Sequence, residues 1–296
     1  MSEPLITIGI PFYNNEHTIV DTVKSVFAQT YQHWELILIN DGSSDRSVEV
    51  LGDIDDPRVQ IIDDRTHRGL VYRLNQITAL AKGEFIARMD GDDMMMPKRL
   101  EKQLALILSD SQIDVVDTAA YTMDEHCQPV GKRGAQPIRR GAQNVVTSMM
   151  LLHGSILGRK KWFAQHPYDP VYVRAEDYEL FCRTHAVSDF QRVPEYLYII
   201  REGNVNIANY LKSKKTLRKI LRVYGKGILP PAVYWKQVAD TYLKSFLYLA
   251  AGIAKLQRHL SARRNEQLDS DERRQLSDVI TAIKCVQLPR RIGMKS

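Results

Sequence analysis

Cysteine is scarce in this 296-residue chain: three residues, Cys127, Cys182 and Cys285, widely spaced and odd in number. They form no CxxC pair. A zinc site and a disulfide framework are therefore not expected, and a reducing cytoplasm suits the chain. Long apolar runs are also missing. The uncharged run between Lys244 and Lys255 has ten residues, whereas a spanning helix needs about 20 apolar residues. The N-terminus, MSEPLITIGI, lacks a basic region followed by a long apolar stretch, so no secretory leader is expected. Repeats and low-complexity segments are absent. With 44% hydrophobic and 26% charged residues, the composition is that of an ordinary globular protein. Disorder, collagen and coiled coil do not explain the whole.

Positive charge is unevenly placed. The net charge is +6, but residues 1–204 hold 22 Lys and Arg against 29 Asp and Glu, a net of −7, and residues 205–296 hold 19 against 6, a net of +13. We divide the chain there, into an acidic body over 1–204 and a basic, helical C-terminal region over 205–296.

The body alternates strand and helix signals. LITIGI (5–10), WELILI (34–39), Val59–Ile62 and Glu84–Met89 read as buried strands. Helical spacing appears over 16–29, 70–81 and 97–109, and a short helix follows Asp45. A strand over Asp114–Ala119 and a hairpin with loop over 120–145 come next. Residues 174–186 read as a helix with Glu176 and Asp177 in its first turn. The pattern predicts an α/β fold with a doubly wound, mostly parallel sheet. Loops at Pro11, Asp41 and Asp90 all follow strands and should converge where such sheets bind ligands. In the tail, LKSKKTLRKILRVYGK (211–226) precedes Pro230-Pro231, a long helix over 232–260 carries Tyr234, Trp235, Tyr242, Phe246 and Tyr248, and a last helix covers 271–288, before Arg290-Arg291.

The sharpest feature is Asp90-Gly91-Asp92-Asp93, three carboxylates in four residues. Like charges so close destabilise one another unless a cation or water screens them. Their hard oxygens suit Mg²⁺ or Mn²⁺ sharing its shell with substrate phosphates. A solvated acidic turn is the plainer alternative.

Six segments in order resemble an inverting family 2 glycosyltransferase of the GT-A fold. Pro11-Phe12-Tyr13-Asn14-Asn15-Glu16 resembles P-x-Y-N-x-E, and Ser25–Thr30 resembles S-x-x-x-Q-T. Asn40–Asp45 resembles D-D-G-S-x-D. Arg68-Gly69 with Arg73-Leu74-Asn75 resembles the N-x-G and A-R-N region. Gly83–Asp93 resembles G-E-Y-I-A-x-L-D-x-D-D, and Glu176-Asp177-Tyr178-Glu179-Leu180 resembles E-D-Y-E-L. The resemblance covers roughly residues 4–204. It implies a nucleotide-diphospho-sugar transferase fold with a helical extension.

It also implies roles. Pro11 and Tyr13 would flank the base, with Asn14 and Glu16 nearby. Asp41 would accept the N3–H of a uracil or thymine; a turn or capping role is its alternative. Arg73 would face base or phosphate, or lie on a solvated helix face. Asp90 and Asp92 resemble the two aspartates of the family's DxD motif and would serve the metal, Asp90 also bearing on the ribose and Asp92 on the diphosphate. Asp177 would be the single base an inverting transfer needs, or merely a charge at a helix N-terminus. Glu176 would support it, and His153 would lie in an acceptor-side loop. Where the family often has Y-R-x-H, this chain has Arg201, which cannot ligate a metal but can hold a phosphate.

The resemblance thus implies transfer of one hexosyl or N-acetylhexosaminyl unit, from a UDP-sugar or dTDP-sugar, to a hydroxyl of a glycan or lipid-linked glycan in bacterial surface polysaccharide assembly. The synthase signature Q-x-x-R-W is absent, so single additions are expected. The cofactor would be Mn²⁺ or Mg²⁺. The tail admits two readings, an amphipathic element on the inner face of the cell membrane, bound to anionic lipid, or ordinary packing helices. Two rival classes stand beside this. Nucleotidyl transfer would want a glycine-rich phosphate loop after the first strand, and none is present. Nucleic-acid binding through the tail lacks any recognisable motif, and no nucleic-acid partner is expected.

Overall fold

The computed structural model describes residues 3–203, 206–253 and 265–290. Strand β1 (Ile6–Phe12) is buried along its length and lies parallel between β2 (Trp34–Asn40) and β4 (Phe85–Arg88), with β3 (Val59–Asp63) outside β2. Alternate residues serve opposite faces. Leu36 and Leu38 pack with Ile19, Val23 and Val26 of α1 (Ile19–Phe27) and with Leu100 and Leu104 of α3 (Arg99–Ser109). Ile37 and Ile39 pack with Val71, Leu74 and Ile77 of α2 (Leu70–Leu80). A strand covered on both faces must be apolar in both registers, which is why these segments read as continuous hydrophobic runs.

The sheet continues through β5 (Met94–Met95), β6 (Ile113–Met123), β7 (Pro129–Arg133), β8 (Leu157–Arg159) and β9 (Asp189–Arg201). Its order is β3-β2-β1-β4-β8-β6-β9-β5, with β7 paired to β6. Strand β8 enters antiparallel between β4 and β6, and β9 runs parallel to β6. Strand order reverses at β1, flanked by β2 and β4, so a crevice opens beyond the carboxyl ends of these strands. The expected α/β fold with a mostly parallel sheet and a helical C-terminal region is the observed one. Strand β9 escaped the sequence reading. Its pairing jumps from Thr118↔Val193 to Ala119↔Tyr196, so Pro194 and Glu195 sit in a bulge, where a proline is tolerated.

Short helices α4 (Ala142–Thr147) and α5 (Lys160–Gln165) precede α6 (Glu176–Thr184). Beyond β9, α7 (Ile207–Ile220) runs through a π-turn at Leu221–Gly225 into α8 (Pro231–Ile253). The long helix expected over 232–260 is described to Ile253, and its remainder and Arg291 lie outside the described residues. No helix among the described residues is long and apolar enough to cross a membrane. Helix α9 (Ser270–Lys284) returns to the body. It opens with a capping box between Asp269 and Glu272, and Leu276, Ile280 and Ile283 pack on Met94, Met123 and Ile199.

One polar tie fastens the π-turn to α6. The Tyr224 hydroxyl donates to Glu179 Oε1 (2.6 Å), and Arg183 Nε donates to the same oxygen (3.0 Å). Glu179 is 1% exposed. Replacing Tyr224 with Phe removes one donor from a buried carboxylate. The expected cost is about 1–3 kcal/mol of unfolding free energy, read by urea denaturation; an unchanged midpoint would show that the tie carries no stability.

Candidate active site

The loops after β1 and β2 are stitched together by side chains. Asn14 takes a left-handed conformation (φ 54°). Its backbone N–H donates to Ser43 Oγ (2.9 Å), and its Oδ1 accepts from the Ser44 N–H (2.8 Å). The Glu16 N–H donates to Asp45 Oδ2 (3.0 Å), and Glu16 Oε2 accepts from the Arg46 N–H (3.0 Å). Pro11 is buried beneath this seam, while Tyr13 is 48% exposed, its ring 4.8 Å from that of His67.

Asp41 is 5% exposed and already well supplied with donors. The Arg68 and Gly69 N–H groups donate to Oδ1 (2.8 and 3.1 Å), as does Arg73 Nε (2.9 Å), and His67 Nδ1 lies 3.0 Å from Oδ2. Arg73 is fully buried. Its Nη1 and Nη2 reach Asp64 (3.0 and 2.7 Å), Nη1 also meets Gln76 (2.9 Å), and Nη2 the Thr66 carbonyl. Hydrogen bonding from Arg73 lowers the Asp64 pKa to about 2. The guanidinium is spent inside the protein, holding the Asp41 loop to the segment before α2. This arrangement differs from both a solvated helix face and a free ligand contact.

The acidic loop is bolted to α1. Thr18 and Thr22 each donate a hydroxyl to the Gly91 carbonyl (3.1 Å), and Thr22 also to the Asp93 carbonyl (2.7 Å). A Cβ at Gly91 would meet Phe12 Cβ at 2.9 Å and Asn15 Oδ1 at 3.0 Å, so glycine lets the loop lie this close. Each carboxylate is treated differently. Asp90 is gripped by both Nη atoms of buried Arg88 (2.5 and 2.6 Å). Asp93 accepts the Arg201 N–H (2.8 Å). Asp92 has no side-chain partner among the described residues. Burial, then the nearby Asp90 charge, push its carboxyl up to about 6. Burial, then Asp92 and Asp90, hold Asp93 well above the ordinary range. Arg88 and Arg201 offset part of the negative charge; the oxygens of Asp92, which no side chain meets among the described residues, are those that would fit a hard divalent cation.

Arg201 clamps this loop from the side. Its Nε donates to the Asp92 carbonyl (2.9 Å) and its Nη1 to Cys127 Sγ (3.1 Å) and the Glu125 carbonyl (3.3 Å). Among the described residues, Nη2 is buried without a hydrogen-bond partner. Two of the three guanidinium nitrogens, Nε and Nη1, are thus engaged within the protein.

The second half of the site is the start of α6. Ala175, the residue before the helix, adopts φ 57°, ψ 34°, left-handed for a non-glycine. Such strain collects at functional positions. It swings Glu176 and Asp177 toward His153, whose Nδ1 lies 3.9 Å from Glu176 Oε1 and 4.0 Å from Asp177 Oδ2. His153 Nε2 meets the Tyr168 hydroxyl at 2.8 Å. Burial, then the Arg88 charge, depress the His153 pKa well below its usual value, so the ring is neutral. Burial raises Asp177, against the Tyr178 N–H and Arg88, which lower it. Burial, then Asp177, raise Glu176 to about 7. A carboxylate with a raised pKa accepts protons readily near neutrality. Among the described residues, His153, Glu176 and Asp177 also form the one group with metal-ligand spacing, their donor atoms all within 4.8 Å.

Two cavities meet at Asp177. A cavity of about 260 Å³ is lined by Arg88, Asp90, Asp93, His153 and Asp177, among others, and so joins the acidic loop to the α6 carboxylates. A wider cleft of about 720 Å³ lies between α6 and the α7–α8 pair, and Asp177 lines it too. The structure thus brings Asp90, His153 and Asp177 to one cavity. Asp41, Arg73, Asn14 and Glu16 belong to the adjoining loop seam. Sequence reasoning gave Arg88 no role. Its place at the end of β4, two residues before Asp90, was the available signal. Tyr168 and the α7–α8 residues of the cleft carried no local signal.

The family model for Glycosyl transferase family 2 matches residues 7–165, more than half of the chain, and the chain belongs to that family. It is 27% identical over 219 residues to a chondroitin synthase of Pasteurella multocida (strain Pm70), covering 72% of this chain and 22% of that protein. It is 34% identical over 111 residues to the UDP-Glc:alpha-D-GlcNAc-diphosphoundecaprenol beta-1,3-glucosyltransferase WfgD of Escherichia coli, covering 38% of this chain and 44% of that one. The chain thus spans less than half the length of either relative. Among solved structures it is similar to S. aureus TarS 1–349 in complex with UDP-GlcNAc, with a TM-score of 0.59, 15% identity, and coverage of 83% of this chain and 73% of that one. At that identity the likeness concerns the fold, which is that of a glycosyltransferase.

Glu176 makes the electrostatics testable. Its pKa rises from an ordinary 4.5 to about 7 on folding, so the folded state holds its proton more tightly than the unfolded chain. Its contribution to stability is full below pH 4.5 and is lost as pH rises through 7. Glu176→Gln should therefore raise stability at pH 8 by about 1–3 kcal/mol, with the gain vanishing in acid. Thermal unfolding across pH reads this, and a variant less stable than wild type at pH 8 would contradict it.

Proposed function

We propose that the protein transfers a single sugar, with inversion, from a UDP-sugar or dTDP-sugar to a hydroxyl of a glycan or lipid-linked glycan, in assembly of a bacterial surface polysaccharide. The observation that carries this is the shared cavity: the acidic loop and Asp177 face one space from opposite sides. The donor's diphosphate belongs at the loop, with Asp90 toward the ribose and Asp92 toward the metal. The base ring lies by Pro11 and Tyr13, and its N3–H is accepted by Asp41. Carboxylate oxygens offer about four lone-pair sites. These are already occupied, so the base takes the place of the exposed His67 ring. Arg73 then acts by fixing Asp41, and Asn14 and Glu16 by fixing the loop. The UDP-Glc donor named for WfgD supports a UDP-sugar as the donor.

Transfer needs one proton moved. The acceptor oxygen forms its bond to the anomeric carbon as the carbon–phosphate-oxygen bond breaks, and the hydroxyl proton passes to Asp177. The electron pair leaves with the nucleoside diphosphate. Bound at Asp92, Mn²⁺ or Mg²⁺ would supply charge to stabilise that leaving group. Glu176 and neutral His153 hold Asp177 in place, and Arg201 holds the acidic loop by its backbone.

The C-terminal helices bring this site to a membrane. Trp235, Tyr242 and Phe246 of α8 are 66%, 59% and 67% exposed and lie within one stripe of the helix. Basic residues crowd α7, and residues 205–296 carry +13. Exposed rings with adjacent cations suit an anionic lipid surface.

Two experiments check the proposal. Asp177→Asn should lower transfer by about a hundred- to ten-thousand-fold with UDP affinity retained, whereas Asp92→Asn should weaken Mn²⁺-dependent UDP binding measured by calorimetry; full transfer by the Asp177 variant would remove it as the base. For the membrane, cosedimentation with phosphatidylglycerol vesicles should fall at least tenfold in Trp235→Glu/Phe246→Glu. Binding that survives the double change would leave α8 as a packing element only.

A further inference from the structure

Two acids and a histidine meet in the corner where α6 begins. Glu176 is 6% exposed and His153 9%. Neither Glu176 nor Asp177 has a side-chain hydrogen bond among the described residues; His153 Nδ1 stands off from them at 3.9 and 4.0 Å. Asp177 does accept the Tyr178 N–H. The cations lining the adjoining cavity are committed elsewhere, Arg88 to both oxygens of Asp90 and Arg133 to Glu202 (2.8 Å). Two buried carboxylates thus stand side by side without a cation of their own among the described residues. That arrangement costs free energy until a counter-charge arrives.

The histidine is held as a metal ligand would be. The Tyr168 hydroxyl meets Nε2 at 2.8 Å, and the Tyr168 backbone is itself fixed by Asn75, whose side chain donates to its carbonyl and accepts its N–H (both 2.9 Å). With Nε2–H given to that hydroxyl, the lone pair of the neutral ring is on Nδ1, facing the carboxylates. Ligating histidines are oriented through their other nitrogen in this way. We propose that His153, Glu176 and Asp177 form a second divalent-metal site, selective for Zn²⁺, and that an ion there silences Asp177. One imidazole and two carboxylates suit zinc, whereas an all-oxygen loop suits Mg²⁺ or Mn²⁺. The three donor atoms lie within 4.8 Å of one another. Tetrahedral zinc sets nitrogen and oxygen donors about 3.3 Å apart, so the corner closes slightly on the ion. The cavity of about 260 Å³ that His153 and Asp177 line is its way in. Zinc binding stands on these three side chains alone; inhibition of transfer rests on Asp177 being the base proposed above.

The test uses the full chain carrying Asp92→Asn and stripped of metal, so that the acidic loop does not compete for the ion. Zn²⁺ and Mg²⁺ are titrated by calorimetry. The expected result is one Zn²⁺ per chain, bound at least about a hundredfold more tightly than Mg²⁺. Its affinity should fall at least tenfold when His153→Gln or Glu176→Gln is added. Thermal midpoints without metal check that each variant folds; should His153→Gln fail to fold, Glu176→Gln decides. Unchanged zinc affinity in a folded variant would overturn the proposal, as would Mg²⁺ binding as tightly as Zn²⁺ or no zinc binding at all. With Asp92 intact and Mn²⁺ and donor present, Zn²⁺ should suppress transfer, and Glu176→Gln should escape that suppression. Zinc bound through these residues with full transfer retained would contradict Asp177 as the base, so failure of the site and failure of the base are told apart.

Discussion

A single buried cation, Arg88, underlies the arrangement of the whole site. Its guanidinium grips both oxygens of Asp90 and borders the cavity that His153 and Asp177 also line. Burial disfavours its charge, but Asp90, with Tyr198 and Tyr168, outweighs that and raises its pKa. The same charge depresses His153 and pulls down Asp92, Asp177 and Glu176 against the burial that raises them. Carboxylates this close cannot all ionise without a shared counter-charge. Arg88 supplies that charge at the end of β4, next to β1, where the strand order reverses and a crevice opens.

That constraint divides the work among the acids. Asp90 is paired with Arg88 at the cavity wall, Asp93 is tied to the Arg201 backbone, and Asp92, which has no side-chain partner among the described residues, is the acid proposed for a cation. On the far side of the cavity, Asp177 has its pKa raised by burial while staying within reach of two open spaces. In the proposed reaction Asp177 therefore stands between two cavities, with the leaving group assigned to one and the attacking hydroxyl to the other.

Much of this was legible in the sequence because the chemistry sits in loops that follow strands. Pro11, Asp41 and Asp90 end apolar runs whose strand character is plain, so their convergence followed from parallel-sheet topology. Asp177 was legible as a charge in a helix's first turn, though nothing local showed its burial beside His153. What stayed hidden depends on contacts distant in sequence. Arg73 looks like a surface helix residue until Asp64 and Asp41 close around it. Arg201 looks free in sequence, yet its Nε and Nη1 already meet the Asp92 and Glu125 carbonyls and Cys127. Strand β9 carries Arg192, Pro194 and Glu195, which mask its period until the bulge opposite β6 absorbs two of them. The cleft needed α7 and α8 folded against α6, a packing that periodicity alone does not specify.

The central claim is that Asp177 alone takes the acceptor proton while the acidic loop holds the departing diphosphate, in one displacement. The anomeric configuration of the product, read by proton nuclear magnetic resonance before it can equilibrate, tests this most directly. A single displacement predicts inversion relative to the donor sugar. A product with the donor's configuration retained would require a second nucleophile in the cavity and would contradict it.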